Sequence, residues 1–316
     1  MNEIRDPANT LTRQNLKAEA HMNLLSSAID SGRIVEQVSG KNTDASIGKL
    51  LQEAGKLKPQ DMDRVFSFQQ EHNLRFGEAA VKLGLVTDVD IQHALAFQFE
   101  YPYLPDSREG LSQELVAATE PYSKEAEALR SARSQLLLRW FQEGRKTLAI
   151  GCAREGEGAS YLAANLAVLF AQLGRKTLLI DADLRQPRQH HIFNLGNSMG
   201  LSDILAGRAT ASLAIPIKPF PTLSVLTSGS PPPNPAELLV RPAFGALLAG
   251  LESSYDVILI DTTPAQHTSD FQTVVAKAGG MLIATRLNVS RVAPLAELKE
   301  KIIMTGAHVI GAVVLD

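Results

Sequence analysis

Residues 153–160, AREGEGAS, are the stretch whose residue types and spacing point most directly to chemistry. They lie between a buried-strand pattern that starts near Lys146 and an apolar spacing over 161–173 that predicts a helix packed on a sheet. A glycine-rich loop at such a junction brings backbone N–H groups to a phosphate, and the helix dipole adds positive potential. Gly156 and Gly158 permit the tight turn this requires. In the frame G-x-x-x-x-G-K-[ST] the loop supplies Ala153, Arg154, Glu155, Gly156, Glu157, Gly158, Ala159 and Ser160. Ser160 provides the hydroxyl for Mg²⁺. Ala159 stands where a lysine normally bridges the β- and γ-phosphates, and Arg154 is the sequence candidate for the missing charge.

Two later runs carry carboxylates at strand ends. TLLIDADLR ends in Asp181, Asp183 and Arg185, and DVILID ends in Asp261. Carboxylates at the carboxyl ends of parallel strands face a bound nucleotide, and a hard cation such as Mg²⁺ takes oxygen ligands. Ser160, Asp183 and Asp261 are therefore the candidate metal residues. Asp181 or Asp183 is the candidate acceptor of a hydroxyl proton, and Arg185 is a candidate phosphate contact.

These residues need a sheet to hold them. Further strands are predicted at 223–227, 281–285 and 308–315 with helices between, so the expected class is α/β with a mainly parallel sheet, preceded by a small helical module. A chain of 316 residues suffices for both parts. The net charge of −3 gives no electrostatic footprint for nucleic acid. A single cysteine, Cys152, fits a reducing compartment, and the absence of a long apolar run predicts no transmembrane segment and a cytoplasmic chain.

The expected divisions are a polar arm over 1–44, a helical repeat module over 45–105, a linker over 106–121 and a nucleotide-binding domain over 122–316. The module repeats itself: residues 46–69 align without a gap on 75–98, with Gly48 matching Gly77, Gly55 matching Gly84 and Gln69 matching Gln98. Each copy reads as helix, glycine turn, helix. The repeat resembles the MshEN domain of type II secretion and type IV pilus ATPases. That resemblance implies a cyclic di-GMP site at Gly48, Gly55, Gln69, Arg75, Phe76, Gly77, Gly84 and Gln98, with Ser46 departing from the motif arginine. The alternative reading is a helical docking module whose glycines end helices. Ahead of the glycine-rich loop, Glu127, Arg130 and Arg133 form a polar stripe, read either as a solvated face or as a subunit contact.

Taken together, EALRSAR at 127–133, the loop, LLIDADLR at 178–185, PPNPAELL at 232–239 and VILIDTTP at 257–264 resemble the bacterial tyrosine kinases of capsule and exopolysaccharide export, the BY-kinases. Fusion to the repeat resembles the EpsG-type chain-length-determinant members. The resemblance implies transfer of phosphate from Mg·ATP to tyrosine, and homo-oligomers formed through Glu127, Arg130 and Arg133. It also implies a place at the inner membrane through a membrane-embedded polysaccharide co-polymerase. The alternative is a nucleotide-gated, catalytically weak scaffold, because Ala159 replaces the lysine.

Overall fold

The computed structural model describes residues 41–98, 110–266 and 268–316, which fall into two units divided at Gln98. In the first unit the repeat becomes four helices, Lys41–Glu53, Pro59–His72, Phe76–Lys82 and Asp88–Gln98. Helix thus begins within the stretch read as arm; residues 1–40 lie outside the described residues. Pro59 opens the second helix at a position where its missing N–H costs nothing. The fourth is opened by a reciprocal cap, in which Asp90 Oδ2 accepts from the Thr87 amide at 2.9 Å while Thr87 Oγ1 accepts from the Asp90 amide. Leu51, Val65, Phe76, Ala79 and Ala80 form its core.

The second unit is built on a seven-stranded sheet: β1 (Thr147–Cys152), β2 (Thr177–Asp181), β3 (Ile215–Ile217), β4 (Phe220–Leu226), β5 (Val257–Asp261), β6 (Gly280–Arg286) and β7 (His308–Leu315). Their order is β3-β4-β2-β5-β1-β6-β7. All pairings are parallel except β3 with β4. Strands β1, β2 and β5 are buried on both faces, which explains their unbroken apolar runs. Helix Ala159–Gln172 covers one face through Leu162, Leu166 and Phe170, while Leu239, Phe244 and Phe271 cover the other. The sequence pattern does not reveal β3. It is three residues long and contains Pro216, which an edge position tolerates.

The stretch expected as a linker is partly folded. Leu115, Ala117 and Ala118 are fully buried around a short helix, Val116–Thr119. The cause lies on the opposing helix, where two buried amides need partners. Asn165 Oδ1 accepts from the Ala117 amide and its Nδ2 donates to the Glu114 carbonyl, while Gln172 Nε2 donates to the Ala117 carbonyl.

Helix Lys124–Arg139 starts at Ser123, whose Oγ accepts from the Ala126 amide at 3.1 Å. It ends at Trp140, which is buried and donates through Nε1 to the Thr147 carbonyl at 2.9 Å. Gly280 leaves the ring its room, since a Cβ there would lie 2.4 Å from it. Replacing Trp140 by alanine should cost about 3–5 kcal/mol, read as a lower denaturant midpoint. A midpoint equal to wild type would mean that the ring is not packed as described. Among the described residues no helix is long and apolar enough to cross a membrane.

Candidate active site

The loop between β1 and helix Ala159–Gln172 has Gly156 at φ 82° and Gly158 at φ 90°, so both predicted glycines occupy the left-handed region that side chains resist. Gly158 caps the helix. A Cβ on it would also lie 2.6 Å from Leu315 Cδ1, so β7 supports the loop from below. Glu155, Gly156, Gly158, Ala159 and Ser160 line a cleft of ≈ 660 Å³, together with Asp183, Arg188, Thr262, Glu114 and Arg286.

Two loop residues serve other purposes than a phosphate. Glu157 is almost wholly buried: Oε2 accepts from the Arg154 amide at 2.9 Å and Oε1 accepts from Ser290 Oγ at 2.7 Å. It braces the loop from inside, so its expected contact with nucleotide is replaced by a structural role. Arg154 is exposed and is not among the residues lining the cleft, contrary to its expected use as the substitute cation.

Pairing of β2 with β5 sets Asp181 beside Asp261, a neighbourhood that the separate strand-end motifs did not specify. Their environments separate them. Asp181 is fully buried and accepts from the amides of Asp183, Arg188 and Gln189, so it holds the 182–189 loop in shape. Asp183 reaches the cleft wall, and its Oδ1 accepts from the Arg185 and Gln186 amides at 3.0 and 2.9 Å. Burial pushes its carboxyl above the ordinary range. Asp261 is pushed up to about 7, chiefly by burial, with the Gln189 and Ser160 hydrogen bonds opposing and Asp183's charge adding to it.

Asp261 Oδ2 accepts from Gln189 Nε2 at 2.8 Å, whereas its Oδ1 is buried with no partner among the described residues. A carboxylate oxygen left open beside a serine hydroxyl suits Mg²⁺, with Ser160 and Asp261 as the holding residues. Among the described residues there is no cluster of three acidic, histidine or cysteine side chains.

Arg185 does not line the cleft. Its Nε donates to Asp270 Oδ2 at 2.7 Å, fixing the β2 loop to helix Asp270–Ala278. Sequence reasoning missed two cations that do line it. Arg188 is held by both Glu114 oxygens at 2.9 and 3.0 Å, and Arg286 Nη1 donates to the Gly156 carbonyl at 3.3 Å. Arg286 carried a signal of the kind used for Asp181 and Asp261, an apolar strand ending in a charge. Cys152 lies in the wall and donates through Sγ to the Arg154 carbonyl; burial first, then the Glu157 and Asp261 charges, push its thiol up to about 12, leaving it inert.

In the helical unit Phe76 and the four glycines of the expected cyclic di-GMP set take part in packing and turns. Phe76 is fully buried and packs against Phe66 at 5.2 Å between centroids, which corrects its expected place against a ligand. A Cβ on Gly48 would lie 2.7 Å from Met62 and 3.0 Å from Phe76, and one on Gly77 3.1 Å from Ile91, so both glycines permit close helix packing. Gly55 and Gly84 turn the chain at φ 69° and 67°. Arg75 is exposed, Gln69 lies on helix Pro59–His72, and the Gln98 side chain falls outside the described residues.

The oligomer stripe splits. Glu127 and Arg130 form an exposed pair at 2.8 Å, but Arg133 is buried and donates to the Leu169 carbonyl at 3.3 Å. Six residues along a helix fall about 120° short of two turns, which carries position 133 off the face of 127 and onto the neighbouring helix.

Comparison with known proteins agrees with this geometry. The family model ATPase MipZ matches residues 146–293. The putative tyrosine-protein kinase CapB of Staphylococcus aureus is 34% identical over 199 residues, covering 63% of this chain and 87% of that protein. The tyrosine-protein kinase YwqD of Bacillus subtilis is 36% identical over 203 residues, 64% of this chain and 86% of that one. Among solved structures, the kinase domain of Escherichia coli tyrosine kinase ETK superposes with a TM-score of 0.63 at 28% identity, over 69% of this chain and 85% of that one.

Proposed function

Because the chain belongs to the bacterial tyrosine-protein kinase family, we propose that it transfers the γ-phosphoryl group of Mg·ATP to a tyrosine hydroxyl in the cleft between the 153–160 loop and Asp183. The observation that carries this reading is the placement of Asp183 in the wall of the cleft that Ser160 and the loop glycines also line. Loop amides and the helix N-terminus seat the phosphates. The Asp183 carboxylate takes the phenolic proton as the tyrosine oxygen attacks phosphorus and the bond to the β-phosphate breaks. Ser160 and Asp261 would hold Mg²⁺, which would supply charge neutralisation on the phosphates. Asp181 keeps the 182–189 loop in register with this wall.

The biological setting belongs to the same proposal. The chain works in the cytoplasm, at the inner membrane through a membrane-embedded polysaccharide co-polymerase, and regulates exopolysaccharide chain length. The motif set EALRSAR and PPNPAELL supports this reading. Homo-oligomer contacts use Glu127 and Arg130, while Arg133 serves the domain interior. The reading makes no use of cyclic di-GMP: Phe76, Gly48 and Gly77 pack between helices, and Gly55 and Gly84 turn the chain.

Buried Ala159 at the lysine position favours a second reading, a scaffold that binds nucleotide and transfers phosphate slowly or not at all. Incubation with Mg²⁺ and γ-labelled ATP, with phosphotyrosine detection on the chain and on a tyrosine-containing peptide, decides between them. Label on tyrosine is expected. Saturable ATP binding without label would select the scaffold.

A further inference from the structure

Loss of the loop lysine removes a positive charge from the phosphate site, and a cleft that still binds nucleotide phosphates can draw one from another cation in its wall. We propose that Arg286, at the end of β6, binds the nucleotide phosphates in place of that lysine. The inference rests on the nucleotide-binding part of the reading above.

Position is the first argument. The order β2-β5-β1-β6 puts Arg286 on the side of the loop strand opposite to the aspartates of β2 and β5. Phosphates seated on the loop therefore lie between the acidic wall that holds Mg²⁺ and this guanidinium. Arg286 lines the same cleft as Ser160, Ala159 and Asp183, and its Nη1 already reaches the loop at the Gly156 carbonyl.

Availability is the second. Arg185 is bound to Asp270, Arg188 is gripped by both oxygens of Glu114, and Arg154 does not line the cleft. Among the described residues Arg286 is the cleft-lining cation without a carboxylate partner. A guanidinium has five donors, so it can keep the Gly156 carbonyl and still present a fork to phosphate oxygens.

Anchorage is the third. The Arg286 amide donates to Ser290 Oγ at 2.9 Å, Ser290 Oγ donates to Glu157 Oε1 at 2.7 Å, and Glu157 Oε2 accepts from the Arg154 amide. This relay ties the end of β6 to the phosphate loop through a carboxylate buried inside it. The cation's backbone is thereby fixed against the place where phosphates sit. A lysine at 159 would rise from the helix N-terminus, whereas Arg286 approaches from the neighbouring strand.

The test is calorimetric titration of the full chain with Mg·ATP. Arg286→Met should weaken affinity by about ten- to a hundredfold, and Arg286→Lys should retain most of it. Introducing Ala159→Lys into the Arg286→Met chain should bring affinity back to within about threefold of wild type, because the charge returns to the same cleft by the usual route. Arg286→Met binding within about twofold of wild type, or no recovery with Ala159→Lys beside intact binding by Arg286→Lys, overturns the assignment. A wild-type chain that does not bind Mg·ATP overturns it together with the kinase reading. Binding without phosphotyrosine removes only the kinase reading, and the titrations still decide Arg286.

Discussion

Asp183→Asn is expected to lower the rate of tyrosine phosphorylation by about a hundred- to ten-thousandfold, while Mg·ATP affinity stays within about threefold. The two backbone amides that bond this side chain both fall on Oδ1. Oδ2 is thus the oxygen left for the incoming phenol. Asparagine preserves shape and the Oδ1 bonds but has no basicity, so the loss should appear in the single-turnover rate at saturating ATP. Asp181→Ala should behave differently. Removing the acceptor of the Asp183, Arg188 and Gln189 amides frees the loop, and ATP affinity and melting temperature should both fall. A single-turnover rate for Asp183→Asn close to wild type would remove this residue from the chemistry.

The metal-free protein is expected to lose stability as pH rises from about 5 to 8, opposite to the usual acid loss. Asp261 is pushed up to about 7, first by burial. Asp181 is raised as well, by burial and then by Asp261's charge. An unfolded aspartate releases its proton near pH ~4, so between there and about 7 the folded chain holds protons that the unfolded chain has lost. Stability from these groups is complete below the unfolded value and is lost as pH climbs through the folded one. A shift of this size amounts to a few kcal/mol, on the order of 5–10 °C in melting temperature. Asp261→Asn should flatten the profile and raise the melting temperature at pH ~8. Saturating Mg²⁺ with ADP should narrow the gap, because the cation favours the ionised carboxylate. A metal-free melting temperature that rises over this range in both proteins would refute the account.

Much of this site was legible before any coordinates. Glycines at Gly156 and Gly158 meant positive φ between strand and helix, and apolar runs ending in aspartate meant parallel strands delivering carboxylates to one edge. Those are local patterns. What stayed hidden depends on which strands and helices are neighbours. Asp181 and Asp183 look equivalent in DAD, and only the loop that folds back onto Asp181 makes one an anchor and the other a candidate base. Arg185 sat in a plausible phosphate position, but Asp270, far along the chain, takes its guanidinium. Arg154 lay in the loop itself yet does not line the cleft, whereas Arg286, which no spacing rule connects to the loop, does. The repeat glycines of the helical unit show a different ambiguity, in which a ligand motif and a packing motif ask for the same residue.

The segment around Ala117 belongs to the nucleotide unit, since Asn165 and Gln172 consume its backbone groups and Glu114 in it grips Arg188 at the cleft. In evolutionary terms this fixes where modules can be exchanged. A recombination joint ahead of Leu111 leaves the wall whole and lets one helical module replace another. A joint at Pro121 would strip two buried amides of their partners, remove Glu114 and set Arg188 loose. The cost of a fusion therefore changes sharply across this short stretch, and functional chimaeras should join on its permissive side.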